Sequence, residues 1–235
     1  MPTLGIFVKQ PVPGQVKTRL GKEIGMEQSA RLYEAFLLDL FEMTQDIDCR
    51  RVIAYSPGIA SIGEKFANLF SDDDILWPQP DLPLGGRLQE FFDDQLTPTN
   101  PVVVIGSDSP TLPRGYIETA FHQLMDYDEE SEPNDAVLGP SMDGGYYLIG
   151  MRTPFPGLFE FIDWSTPKVL DQTIDRLVAS GRSFELLPPW YDVDTLADLQ
   201  FLRGHLKAMS WSHTPHELPE NTVRVVEEIL SAGGR

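Results

Sequence analysis

The stretch "DAVLGPSMDGGYYLIG", residues 135 to 150, decides the fold. Two apolar runs, 135 to 140 and 146 to 150, are joined by "SMDGG". Five residues with Asp-Gly-Gly fall short of the dozen or so that a parallel crossover needs, and they suffice for a hairpin. An antiparallel pair is therefore expected in the second half of the chain. Elsewhere the pattern is different: "TLGIFV" (3 to 8), "RVIAY" (51 to 55), "PVVVIG" (101 to 106) and "SFELL" (183 to 187) are short apolar runs separated by helical stretches. Such runs suit strands covered on both faces. In "GMEQSARLYEAFLLDLFEMTQ", Ala30, Tyr33, Leu37, Leu40 and Phe41 recur at helical spacing. Apolar patterning predicts further helices over about 59 to 70, 85 to 96, 113 to 126, 167 to 180 and 194 to 208. The alternation predicts a three-layer, doubly wound α/β fold whose sheet is mixed because of the hairpin. No internal repeat or second-domain boundary is visible. The expectation is one domain over 1–235 with its core at about 3–205, followed by a linker and an amphipathic helix over 210–235.

Composition narrows the function classes. With 41% hydrophobic residues the chain can bury a real core. Its 36 acidic against 18 basic residues give a net charge of -18, which argues against nucleic-acid binding, because phosphate backbones are held mainly by Lys and Arg. A single cysteine, Cys49, excludes an intramolecular disulfide and a cysteine zinc site, and points to a reducing, cytoplasmic setting. The opening residues lack the pattern of a targeting segment, and no run approaches the ~18 apolar residues of a membrane span. The acidic run "DYDEESEPND" (126 to 135) reads as a solvated loop, and His213 and His216 as surface histidines.

The basic residues are unevenly placed. Residues 1 to 22 hold Lys9, Lys17, Arg19 and Lys22 and no Asp or Glu, a local positive island in an acidic protein. Most of it lies in "FVKQPVPGQVKTRLG" (7 to 21), where Gly14 lets backbone approach a ligand at the carboxyl end of the first strand. Lys17 and Arg19 add charge suited to phosphate. The loop is no Walker motif, since Gly14 stands three positions before Lys17, and the dinucleotide fingerprint is absent.

Three carboxylate stretches could face that loop. In "VVVIGSDSPTLP" (102 to 113) a strand runs into Asp108, placed to share Mg²⁺ with phosphates, although Ser107, Asp108 or Ser109 could equally cap a helix. In "WYDVDTLADL" (190 to 199), Asp192 and Asp194 share one face of an extended segment, and Asp194 or Thr195 is placed to cap the next helix. A haloacid-dehalogenase reading of this segment fails, because Thr195 comes one position early and the segment lies near the C-terminus. Asp143, in the hairpin turn, is a candidate to bind an acceptor group or the metal. In "DWSTPKV" (163 to 169), Trp164 is either packed or lines an acceptor pocket.

Together "FVKQPVPGQVKTRLG", "LGGRL", "GSDSPTLP", "GPSMDGGYYLIG", "DWSTPKVL" and "YDVDTLADL" resemble the DUF2064 group of the nucleotide-diphospho-sugar transferase (GT-A) superfamily over roughly residues 3 to 205. That group is assigned as glycosyltransferases, and is related to 2-phospho-lactate guanylyltransferase and the molybdenum-cofactor nucleotidyltransferases. The resemblance implies a GT-A fold with a Rossmann-like N-terminal half. It implies that Lys9, Gly14, Lys17, Thr18, Arg19 and Arg87 lie at the nucleotide, and that Asp108, with Asp194 or Asp192, holds Mg²⁺ or Mn²⁺. Lys17, Arg19, Asp108 and Asp143 are then the catalytic candidates. The chain departs from the group's pattern at Gly86, where an acidic residue is usual. The implied activity is a Mg²⁺- or Mn²⁺-dependent transferase using a nucleotide sugar or nucleoside triphosphate donor and a small-molecule acceptor of unknown identity. Glycosyl transfer leads, nucleotidyl transfer with pyrophosphate release is the alternative, and a non-catalytic nucleotide-binding module is the rival class. Homo-oligomerisation is left open.

Overall fold

The computed structural model describes residues 1–56, 64–125, 132–212 and 217–232. In chain order the elements are β1 (Thr3–Lys9), α1 (Thr18–Ile24), α2 (Met26–Thr44), β2 (Arg50–Ser56), α3 (Glu64–Ala67), β3 (Ile75–Pro78), α4 (Leu84–Gln95), β4 (Val102–Ile105) and α5 (Arg114–Leu124). There follow β5 (Ala136–Pro140), β6 (Tyr146–Met151), α6 (Val169–Ala179), β7 (Phe184–Leu186), α7 (Leu196–Trp211) and α8 (Glu220–Ala232). The seven strands form one sheet in the order β3-β2-β1-β4-β6-β5-β7. Strands β1 to β4 pair in parallel, and β7 is parallel to β5. Only β6 runs against its neighbours, pairing antiparallel with both β4 and β5. The hairpin read from "SMDGG" therefore makes the sheet mixed, as expected.

Alternation along the strands splits the core into two layers. Leu4, Ile6 and Val8 of β1 and Val103 and Ile105 of β4 face α2, α5, α7 and α8. Val52, Ala54, Val102 and Val104 face α4 and α6, around Phe91, Phe92 and Leu177. Gly5 allows this second layer to close, since a Cβ there would collide with the Phe91 ring. Both faces are thus covered, which is why the central strands read as unbroken apolar runs.

Two features differ from the expected elements. Strand β3 does not stand out in the sequence because "ILWP" is a four-residue edge strand, largely exposed and ended by Pro78. The helix expected over 59–70 is described only from residue 64, and its described part, Glu64–Ala67, ends three residues earlier than expected. Most of the acidic run, and both His213 and His216, lie outside the described residues.

Candidate active site

The carboxyl ends of β1 and β4 open into a cleft of about 700 Å³. Its lining includes Lys9, Lys17, Arg19, Arg87, Asp108, Asp143, Asp192 and Asp194, while Gly14 and Thr18 lie outside it. This is the crevice at which open α/β sheets bind ligands.

The loop after β1 does not hold all its cations alike. Lys9 and Arg19 are exposed at the rim, whereas Lys17 is buried. Lys17 caps α1 in a left-handed conformation, with φ 46°. Its ammonium lies 2.5 Å from Asp108 Oδ1 and 3.0 Å from Asp194 Oδ1. Burial disfavours the charged form, but the two carboxylates outweigh it and raise the pKa above the ordinary lysine value. The rings of Tyr33 and Phe36 lie 6.0 and 5.8 Å away. Lys17 is thus an internal counter-ion that holds two carboxylates together, in place of the solvent-facing phosphate ligand expected from its loop position.

The segment after β7 is fixed by backbone bonds. Val193 N–H donates to the Asp108 carbonyl and Trp190 N–H to that of Pro140, at 3.0 Å each. Thr195 and Asp198 form a reciprocal capping box at the start of α7, which leaves the Asp194 carboxylate free to meet Lys17. The neighbouring Asp192 is used differently: Ser109 Oγ donates to Oδ1 at 2.7 Å and Ser141 Oγ to Oδ2 at 2.6 Å. Burial first, and then the nearby Asp108 and Asp143, raise its pKa despite those hydrogen bonds. With both oxygens engaged, Asp192 ties the loop after β4 to the hairpin turn.

The donor set of Asp108 and Asp194 fits a divalent cation. Each spends one oxygen on Lys17, the second has no partner among the described residues, and the side chains are 49% and 45% exposed. No group of three or more His, Cys, Asp or Glu that could hold a metal occurs among the described residues. Phosphate and water would have to complete such a site, the usual arrangement for Mg²⁺.

Several lining residues carried no chemical signal in the sequence. Tyr33 was readable only as an apolar position of α2, yet its hydroxyl meets Ser107 Oγ at 2.7 Å and accepts the Lys9 N–H at 3.0 Å. Burial, with the Asp108 charge, pushes its phenol up to about 12. It therefore joins the ends of β1 and β4 as a neutral group. Gln79 donates to the Ala54 carbonyl at 2.6 Å and accepts from Arg87 Nη1 at 2.9 Å, which holds that guanidinium on the β2–β3 side. A Cβ at Gly86 would come within 3.1 Å of the Leu82 side chain, a tight contact, so this apolar side chain crowds the position where the resemblance leads one to expect an acid. One residue earlier in α4, Gly85 lets Trp164 pack closely, since a Cβ there would come within 2.6 Å of its Nε1.

The doubly wound mixed sheet and this charged cleft define an enzyme of transferase type with the nucleotide-diphospho-sugar transferase fold. The chain belongs to the family described as "Uncharacterized protein conserved in bacteria (DUF2064)", whose model matches residues 39–166. It is 32% identical to a Desulfovibrio desulfuricans G20 protein provisionally identified as a nucleotide-diphospho-sugar transferase, with a TM-score of 0.82 over 98% of this chain and 96% of that one. Two more distant structures share the fold. A cytidylyltransferase from Leptospira borgpetersenii serovar Hardjo-bovis has 12% identity and a TM-score of 0.55, covering 98% of this chain and 96% of its own. The inositol-1-phosphate CTP transferase of T. maritima has 14% identity and a TM-score of 0.51, covering 95% and 96%. Comparison with curated proteins gives no match. No helix among the described residues is long and apolar enough to cross a membrane.

Proposed function

We propose that this protein is a Mg²⁺- or Mn²⁺-dependent glycosyltransferase that uses a nucleotide-sugar donor. The observation carrying the reading is the meeting of Lys17, Asp108 and Asp194, drawn from three distant parts of the chain, at the carboxyl edge of the sheet. Asp108 and Asp194 would hold the metal, and Asp192 would position the loops around it. The metal, when bound, would neutralise charge on the donor's phosphates. Lys9 and Arg19 bind those phosphates from the rim, and Arg87, steadied by Gln79, lies on the nucleotide side of the cleft. Lys17 keeps Asp108 and Asp194 at a fixed separation, so little reorganisation is needed as negative charge develops on the leaving group.

Asp143 lines the same cleft from the hairpin turn. Its Oδ1 accepts the Gly145 N–H at 2.9 Å, and its second oxygen is free to take a proton. An acceptor hydroxyl would attack the donor's anomeric carbon as the bond from that carbon to the diphosphate oxygen breaks. The electron pair leaves with the nucleoside diphosphate, and the hydroxyl proton passes to Asp143. The same cations would serve attack at the α-phosphorus of a nucleoside triphosphate, and the fold shared with two cytidylyltransferase-type enzymes keeps nucleotidyl transfer as the second reading. Release of nucleoside diphosphate supports the first, and release of pyrophosphate the second.

The direct test is a thermal-shift panel of nucleotides with all bases, with and without Mg²⁺ or Mn²⁺. Nucleoside diphosphates are expected to raise Tm only with metal, and at 100 Kd of ligand the added stability is about 2.7 kcal/mol. Asp108→Asn is expected to abolish the metal-dependent part. A wild-type protein unmoved by every nucleotide and metal pair would defeat the donor-site reading and leave the non-catalytic nucleotide-binding module without support as well.

A further inference from the structure

The two halves of the chain contribute different charge to the cleft. Lys9, Lys17, Arg19 and Arg87 all come from the N-terminal half of the chain. The C-terminal half contributes Asp143, Tyr146, Trp164, Ser165 and Thr166 to the lining, with no Lys or Arg among its described lining residues. The nearby Lys168 is outside the cleft lining, and its ammonium is bound to Asp163 Oδ2 at 3.3 Å. Arg87 is directed to Gln79.

This part of the lining is also built as one piece. Gly144, with φ 91°, packs directly on the Pro167 backbone, and Leu170 N–H donates to the Gly144 carbonyl at 2.9 Å. Trp164 is held by Gly85 and by an edge contact with Tyr146, whose ring centroid lies 6.4 Å away. Polar groups there without a hydrogen-bond partner among the described residues include the Trp164 indole N–H, the Ser165 hydroxyl, the Tyr146 hydroxyl and the second oxygen of Asp143. Ser165 sits in a left-handed conformation, with φ 63°. A half-buried indole beside the Ser165 hydroxyl and the Asp143 carboxylate suits a ligand with an apolar ring face and hydroxyl groups. Asp143 would repel a phosphorylated ligand bound beside it, and the C-terminal half adds no cation to the lining to offset this, so the arrangement selects against phosphate there.

We infer that the acceptor of the proposed transfer is an uncharged, hydroxyl-bearing ring compound, such as a sugar or cyclic polyol, packed on Trp164 and hydrogen-bonded by Asp143 and Ser165. The inference rests on the donor reading above for the word acceptor, but its binding test does not. Ligand-observed NMR titrations of the full chain, with a nucleoside diphosphate and Mg²⁺ present, would compare glucose and myo-inositol with glucose 6-phosphate and 3-phosphoglycerate. The neutral rings should bind at least about tenfold more tightly than the phosphorylated compounds. Trp164→Ala should weaken them by about tenfold, a loss the conservative Trp164→Phe largely restores. Ser165→Gly, compatible with the positive φ, should weaken them several-fold and guards against a folding defect in Trp164→Ala. Preference for the phosphorylated compounds, no binding of any neutral ring, or indifference to both Trp164→Ala and Ser165→Gly overturns the inference. If neutral rings bind while no nucleotide shifts Tm, the donor reading falls and the ring site stands.

Discussion

Asp108, Asp192 and Asp194 are the same residue type placed within one small volume, and their partners set them apart. Asp192 is saturated by two serine hydroxyls, whereas Asp108 and Asp194 share one ammonium and keep an oxygen each toward the cleft. A buried lysine is tolerable only because two opposite charges offset its desolvation. Cys49 shows the converse, burial with little compensation. Its thiol is pushed up to about 11 by burial, which the Arg51 charge only partly offsets. Near pH 8 its thiolate fraction in the native protein should be about two-hundredfold below that of an unperturbed cysteine of pKa ~8.5. Alkylation by iodoacetamide should therefore be slow in buffer, fast in urea, and rise about tenfold per pH unit up to about 11. The folded-state value lies above the unfolded one. This group's stabilising contribution is thus present below about pH 8.5 and lost as pH climbs towards 11. Equal alkylation rates in buffer and urea at pH 8 would contradict this.

Among the elements, the β5–β6 hairpin does most to shape the site. Its turn carries Asp143, and its Ser141 is bonded to Asp192. The two glycines in "SMDGG" are not equivalent. Gly144 has φ 91° and meets the Pro167 backbone, so Gly144→Ala should cost about 1–3 kcal/mol through strain and overpacking. Gly145 has no positive φ, and a Cβ there would meet only Asp143 Oδ1, at 3.2 Å. Gly145→Ala should be the milder change. Urea titration of the two variants checks the order, and equal losses would show that the close approach of turn and 163–168 loop is not what fixes this part of the lining.

At the scale of the molecule, α8 covers the layer formed by α2 and α7, placing Val225, Val226 and Ile229 in the core. The tie is polar as well as apolar. Asp39 of α2, only 5% exposed, accepts the backbone N–H groups of Asn221 and Thr222 at 3.0 and 2.7 Å, and the Asn221 side-chain amide at 2.9 Å. A carboxylate at the first turn of a helix satisfies orphan donors and meets the positive end of its dipole. Asp39→Ala should lower stability by about 1–3 kcal/mol, with new amide exchange concentrated in 220–232. Exchange unchanged in α8 would show that apolar packing alone holds it.

The layered α/β fold was legible in the sequence because burial on both sides leaves unbroken apolar runs, and the mixed sheet because five turn residues cannot make a crossover. Most of the charged residues at the cleft were legible too, because Lys9 ends a strand, Asp108, Asp143 and Asp192 follow one, and Lys17 and Asp194 stand just before a helix, whereas Arg19 and Arg87 lie within α1 and α4 and Arg87 was read only from the resemblance. Their division of labour was not legible. Tyr33 and Gln79 act through partners 74 and 25 residues away, and no local pattern encodes such a pairing. Lys17 reads as a phosphate ligand from its loop and becomes an internal counter-ion only when Asp194, 177 residues on, is folded against it. Local sequence determined which segments become strands and helices, because periodicity and turn chemistry are short-range. The tertiary structure alone decided which carboxylate keeps a free oxygen, because that depends on partners brought together by chain folding.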